Sequence, residues 1–357
     1  MRSLLFVLIT AMVAVLLYLF LWPTEVDPLA WEPPEAPEMS GPWAPNEKLR
    51  EADYLGAGAF DGPEDTAVDS EGRVYGGTDG GLIRRTTANG GVETFADTGG
   101  RPLGMGFDAD GNLIVADAWE GLLSIDPQGE ITVLATEADG VPFGFTNDLD
   151  IASDGTIYFT DASYRWGQDK YLYDLLEARP YGRLLAHDRD RGETRLLLDG
   201  LYFGNGVALS ENEDFILINE TYRYRIQRYW LAGEQAGNAE VFAHNLPGFP
   251  DNISATGDGR FWLALFTVRN PDMDAMHPHP GIKRMVSRLP SALWPAPEPW
   301  GFVVEYNEQG EVLRTLQDPG GERLFAVTSV KEVDGTLYLG SLYNDRIGVL
   351  PLERVEQ

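Results

Sequence analysis

The chain has 357 residues, no cysteine, four histidines and a formal net charge of −29. This composition excludes disulfides, thiolate metal sites and cysteine nucleophiles, and so acidic a surface argues against nucleic-acid binding through phosphates, which needs clustered cations. The 40 glycines and 23 prolines suit a turn-rich β protein of one large domain or two ordinary ones.

The first element is an apolar run. Leu4 to Trp22 carries no charge, and its 19 residues, at about 1.5 Å each, cover a bilayer core of about 30 Å. Arg2 precedes the run, and Glu25, Asp27, Glu32, Glu35 and Glu38 follow it. Positive charge stays inside, so the expectation is a single-pass signal anchor over residues 1–22, with a cytoplasmic N-terminus and the body on the non-cytoplasmic side. A cleaved signal peptide is the alternative, but no small-x-small site follows the run. Residues 23–45 are rich in Pro and Glu and read as a tether.

From residue 46 to 357 one phrase recurs: strand, tight turn, strand. It stands at Val68–Tyr75, Phe107–Ile114, Ile151–Tyr158, Leu209–Ile216, Ala255–Trp262 and Lys331–Tyr338. Five of the six turns have an acidic residue before Gly, a strong hairpin signal. The glycines Gly72, Gly111 and Gly155 are spaced by 39 and then 44 residues. A period of that length with several strands per unit predicts a β-propeller. The fold expected is therefore all-β, a six-bladed β-propeller behind an N-terminal transmembrane helix. The chain near Tyr54–Phe60 and near Arg346–Leu352 should share one blade and close the ring.

Two insertions interrupt the period, at 163–181 and 267–300. Both should sit on one face, as loops or short helices able to cover a pocket. Their aromatics Tyr164, Trp166, Phe266 and Trp294 are candidate pocket walls. His277 and His279 alternate with prolines and read as part of a surface loop.

Counting eight residues back from each turn gives Glu64, Leu103, Asn147, Asn205, Asp251 and Val327. Four of these six equivalent positions carry carboxylate or carboxamide oxygen. Innermost propeller strands line the central channel, so these oxygens should converge on one axis. Such a set suits Ca²⁺, which takes six to eight hard oxygen ligands, and does not exclude Mg²⁺ or Mn²⁺. It suits zinc or copper poorly, because neither His nor Cys takes part. The metal ligands expected are Glu64, Asn147, Asn205, Asp251 and its neighbour Asn252. Asp251 is the candidate general base, with Asp148 in reserve.

Gly62-Pro63-Glu64, Phe145-Thr146-Asn147-Asp148, Phe203-Gly204-Asn205-Gly206, Leu246 to Ile253 and Val333 to Ser341 together resemble the strictosidine synthase-like proteins, and most closely members of that group with an N-terminal membrane helix. The resemblance covers nearly everything after residue 45. The wider superfamily is similar to gluconolactonase, paraoxonase and the calcium-dependent phosphotriesterases. It implies a six-bladed propeller with a catalytic Ca²⁺ held by a Glu in the first blade, Asn in the middle blades and an Asp or Asp-Asn further on. Glu64, Asn147, Asn205 and Asp251-Asn252 match that pattern. Two departures stand out. Where strictosidine synthase has its catalytic Glu, in the sixth unit, this chain has Thr328. Where paraoxonase has a histidine, it has Gly100-Arg101-Pro102-Leu103-Gly104.

The function expected is a membrane-anchored, calcium-dependent hydrolase of small esters or lactones, arylesterase- or lactonase-like. A non-enzymatic tethered binding propeller and a condensing enzyme or lyase are the alternatives, the latter weakened by Thr328.

Overall fold

A computed structural model describes residues 2–355. Six four-stranded antiparallel sheets are arranged as the blades of a propeller, each strand bonded to the next in sequence. The innermost strands are Thr66–Val68, Pro102–Phe107, Thr146–Ile151, Gly204–Leu209, Gly248–Ala255 and Val327–Val333. Each contacts its neighbour around the ring. Blade 6 is completed from the other end of the chain: Asp53–Leu55 pairs with Ile347–Pro351, Tyr54 opposite Gly348. The ring closure expected from sequence is therefore present.

The second strand of each blade is largely buried. Leu113–Asp117, Ile157–Asp161 and Phe215–Glu220 are buried throughout, because each lies between the channel-lining strand and the third strand of its own blade and is sandwiched by neighbouring blades. Side chains from both sides fill the space between blades, with Trp262, Phe159, Phe261 and Phe302 among the largest fully buried groups. The acidic end of this strand has a repeated task. Asp117 accepts the Arg101 N–H (2.9 Å), Asp161 the Phe145 N–H (2.8 Å) and Glu220 the Tyr202 N–H (2.9 Å). Each bond fixes the loop leading into the innermost strand of the same blade.

Antiparallel pairing decides where the insertions emerge. Thr146 lies opposite Asp161, and Gly248 opposite Val268. The start of an innermost strand and the end of its partner therefore share one face of the ring. Both insertions follow a second strand and rise from that face. The first carries the helix α2 (Tyr171–Glu177), the second α3 (Pro271–Met276) and α4 (Pro280–Val286). Within the second insertion, His277 differs from the expected surface loop. The turn between α3 and α4 buries its ring edge-on against Trp31, 4.8 Å away, and burial lowers its pKa to about 3. His279 is exposed.

The remaining helix, α1 (Arg2–Leu21), stands outside the propeller. It is the one described helix long and apolar enough to cross a membrane, with a mean hydropathy of 2.9 over Ser3–Leu21. The Pro-rich segment after it is a strap rather than a free tether. Leu29 N–H donates to Glu177 O (2.9 Å), Trp31 N–H to His277 O (3.2 Å), and Arg269 donates to Pro34 O (2.7 Å). Prolines lack a donor and favour extended backbone; Leu29, Trp31 and Pro34 find their partners on the insertions, and Val26 is buried.

Candidate functional site at the channel mouth

Glu64, Asn147, Asn205 and Asp251 wall a single cavity of about 60 Å³ in the channel. The eight-residue count thus brings together side chains from blades 1, 3, 4 and 5. Asn252 joins them by donating from Nδ2 to Glu64 Oε1 at 3.1 Å, across 188 residues of sequence. Asn205 Nδ2 donates to Asp251 Oδ1 at 2.8 Å. With both amide nitrogens turned to carboxylates, the amide oxygens have no donor. Glu64 Oε2, Asn147 Oδ1, Asn205 Oδ1 and Asn252 Oδ1 are buried without a hydrogen-bond partner. A buried acceptor left unpaired costs about 1–3 kcal/mol, so four in one place form a set that a cation satisfies. Among the described residues no three or more His, Cys, Asp or Glu side chains are grouped so as to hold a metal ion by themselves; the ring combines two carboxylates with amides. This donor chemistry fits a hard divalent ion such as Ca²⁺ and does not fit zinc.

The electrostatics agree. Burial, then the charges of Asp251, Asp65 and Asp148, push Glu64 well above the usual carboxylate range. Burial pushes Asp251 up to about 7, against the bond from Asn205.

Local irregularity aims these residues. The ladder shifts register between Thr146 and Leu149, between Gly204 and Val207, and between Pro250 and Ile253. Bulges of this kind re-aim side chains next to sites, and here they leave Asn147-Asp148, Asn205-Gly206 and Asp251-Asn252 out of regular alternation. Gly206 serves close approach: a Cβ there would lie 2.4 Å from Ile253 N. Phe203, just before this strand, is left-handed at φ 57°. That conformation is costly for a bulky residue, and its ring is held by Tyr222 (4.5 Å, stacked) and Phe145 (5.4 Å).

Neighbouring blades hold the backbone of the ring. Thr160 Oγ1 donates to Asn205 O (2.7 Å), Asn219 Nδ2 to Asp251 O (2.5 Å) and Thr328 Oγ1 to Glu64 O (2.6 Å). Sequence reasoning missed the first two. Their signal was a polar residue directly before the acid that ends an apolar strand, Thr160-Asp161 and Asn219-Glu220.

On the insertion side, the ring opens into an apolar cavity of about 170 Å³ that shares Asn205 and Asp251 with it. Tyr171, Phe203, Tyr222, Phe249, Phe266 and Tyr343 supply its aromatic wall. Of the four aromatics expected, only Phe266 is in this wall. Trp166 is buried against Glu177 (3.1 Å), Tyr164 packs on Tyr181, and Trp294 stacks on Tyr173.

The opposite mouth is different. Asp65, Asp148, Asp150 and Lys331 line a cavity of about 530 Å³ there. Lys331 Nζ donates to Asp65 Oδ2 (2.8 Å) and Met105 O (2.5 Å). Burial opposes its charge, but Asp65 and Asp148 hold its pKa above the ordinary value. Asp148 Oδ2 accepts the Val207 N–H at 2.9 Å. Asp148 thus joins one blade to the next on the far side of the ring from the aromatic cavity.

Comparison with known proteins gives the same outline. The family model "Strictosidine synthase" matches residues 147–234, and "Strictosidine synthase-like, N-terminal" matches residues 41–86. The chain is 37% identical over 354 residues to adipocyte plasma membrane-associated protein of Rattus norvegicus, covering 92% of this chain and 94% of the relative. Among solved structures it is similar to a gluconolactonase of Xanthomonas campestris (TM-score 0.61, 17% identity, 84% of this chain and 87% of the other). It is also similar to regucalcin, a calcium-binding protein of Agrobacterium tumefaciens (TM-score 0.56, 13% identity, 83% and 89% covered). At these identities the solved structures speak for the fold.

Proposed function

The chain belongs to the strictosidine synthase-like family, and from that premise we propose that it is a membrane-anchored hydrolase of carboxylic esters or lactones that works with a divalent cation, Ca²⁺ by preference. The observation that carries the proposal is the set of four partnerless buried oxygens at the floor of an aromatic cavity. Its likeness in fold to a gluconolactonase and to a calcium-binding propeller supports it.

Glu64, Asn147, Asn205 and Asp251 would hold the ion, with Asn252 beside them. When bound, the cation supplies Lewis-acid polarisation of a carbonyl oxygen. The chain's own residues do the rest. The aromatic wall, Tyr171 and Tyr343 included, takes the apolar part of the substrate and excludes water. Asp251 borders both cavities, so it is the carboxylate placed to take a proton from an attacking water. Burial disfavours its charge; a bound cation would favour the ionised form that a base requires. Asn205 bonds that carboxylate directly and Asn219 holds the Asp251 backbone oxygen. Asp148 is spent on the Val207 N–H and faces the other mouth. Thr328 is likewise spent on Glu64 O, which leaves the condensing reaction without its acid.

The anchor reading completes the proposal: α1 spans the membrane with its N-terminus in the cytoplasm and the propeller on the other side. The test is hydrolysis of a panel of aryl esters and lactones by the full chain with Ca²⁺, with a chelator, and by Asp251→Ala with Ca²⁺. Loss of a general base removes about 100-fold or more, and the chelator should do at least as much. Equal rates in all three would overturn the hydrolase. A rise in melting temperature with Ca²⁺, without turnover of any ester, would mean a binding propeller.

A further inference from the structure

The second insertion touches α1 as well as the cavity. Tyr18 OH donates to Arg288 O at 2.8 Å. Arg288 in turn donates to Trp22 O (2.6 Å) and Leu19 O (2.7 Å). Thr24 and Ser287 share a hydroxyl bond of 2.8 Å. Phe20 lies in one groove with Pro280, Ile282, Met285 and Arg288. The turn after α4, and through the Phe20 groove one side of α4 itself, lie against the last turn of α1, where Tyr18 and Trp22 have the side chains expected at a bilayer surface.

Its surface suits that depth. Ile282 is 45% exposed and Leu293 67% exposed. From His277 to Pro297 the chain has no acidic residue; of its three basic ones Lys283 is buried on Leu29 O, Arg284 pairs with Asp27 and Arg288 is held by the Leu19 and Trp22 carbonyls. In a protein of net charge −29 such a stretch stands out. Exposed aliphatic side chains in a stretch without negative charge, beside the end of α1, suit a segment that lies on a lipid surface.

We propose that the second insertion rests on the bilayer, with Ile282 and Leu293 in the headgroup–acyl boundary, so that the aromatic cavity opens beside lipid. The inference deepens the anchor reading and rests on α1 spanning the membrane. Asn270, Met273 and Pro295 to Pro297, from the same insertion, form one wall of the cavity. Substrates dissolved in the membrane would reach it along that wall without crossing bulk water.

The absence of cysteine makes the test clean. Single variants Ile282→Cys, Leu293→Cys, Ala11→Cys and Val133→Cys of the full chain are spin-labelled and placed in nanodiscs containing anionic lipid. Accessibility to oxygen is compared with accessibility to a water-soluble nickel chelate. Ala11 marks the centre of the span, and Val133, 53% exposed on the rim of blade 2, marks water. The expected result is oxygen over nickel at positions 11, 282 and 293, and the reverse at 133. Nickel over oxygen at 282 or 293, with 11 in lipid, overturns the inference and leaves the anchor standing. Nickel over oxygen at 11 overturns both.

Discussion

Glu64 and Asp69 show how two carboxylates five residues apart do unrelated work. Asp69 is a turn residue: its Oδ1 accepts the N–H groups of Glu71 (3.0 Å) and Arg73 (2.9 Å), and its Oδ2 accepts from Arg73 Nε (2.6 Å) and Tyr75 OH (3.0 Å). All of its capacity is used locally. Glu64 has one oxygen on Asn252 and one with no partner, and it sits in the ring. Glu64→Gln keeps the shape and removes a charge facing the cation. It should weaken Ca²⁺ binding by at least about tenfold, which is about 1.4 kcal/mol, and abolish most of the Ca²⁺-induced rise in melting temperature. Asp69→Asn should lower the melting temperature of the metal-free protein by a little and leave the Ca²⁺-induced rise intact. Titration calorimetry of both variants checks this; equal losses of affinity would mean that the ring does not bind the ion. Glu64 was legible in sequence because the turn glycines gave a ruler. Asn219 and Thr160 were not, since a polar residue at the end of a buried strand has no meaning until the neighbouring blade is beside it.

The short helices of the insertions lay beyond what periodicity could show. α2, α3 and α4 have seven, six and seven residues, too few turns for an amphipathic pattern to repeat. The cavity they cover was illegible for a related reason. Its aromatics come from α2, from the residue before the innermost strand of blade 4 and the turn after its second strand, from the first two strands of blade 5, and from the last loop of blade 6, so no single stretch reads as a pocket. α2 itself carries a testable strain. Burial raises Asp174 to about 8, against a bond from Ser163, and its Oδ2 has no partner. A carboxyl whose folded pKa lies above its unfolded value contributes its full stability below about 4. That contribution is lost as pH rises through about 8. Asp174→Asn stays neutral throughout, so native and variant should melt alike near pH 4. Between about pH 4 and pH 8 the variant should become the more stable, the gap opening by on the order of 1.4 kcal/mol per pH unit at most and staying level above pH 8. Melting curves from pH 4 to 9 measure it; parallel curves would show that the charge is matched in the native fold.

At the scale of the molecule, closure is what turns six hairpin pairs into a rigid ring around one axis. The six units, the two insertions and the blade shared between the chain's two ends were all readable, because each follows from the spacing of turns. The strap was not, because Pro and Glu specify an extended chain without saying where it lies. The structure separates three roles before residue 56: α1 outside, the strap over the insertions, and the closing segment. The last is tied in at several points. Leu49 and Ala52 are buried with Leu350, Leu352 and Val355. Lys48 Nζ donates to Val355 O at 3.0 Å, and Arg354 pairs with Asp53 at 2.9 Å. Guanidinium groups of Arg346 and Arg323 lie over the Tyr54 ring at 4.5 and 5.1 Å. Deleting residues 2–22 touches none of this and should leave a soluble propeller. Deleting residues 2–55 leaves blade 6 with three strands, an open edge and an uncovered apolar patch. Exposing those side chains and unpairing one strand costs on the order of 5 kcal/mol. At about 2 °C per kcal/mol for a domain of this size, the melting temperature should fall by about 10 °C, and the open edge should promote aggregation. Deleting residues 2–45 removes α1 and the strap and should fall between the two, because the closing strand stays and Trp31 is lost. Calorimetry and light scattering on the three truncations decide it. If the 2–55 deletion melts with the 2–22 deletion, the ring holds without its closing strand, and the ring of oxygens must owe its geometry to the blades alone.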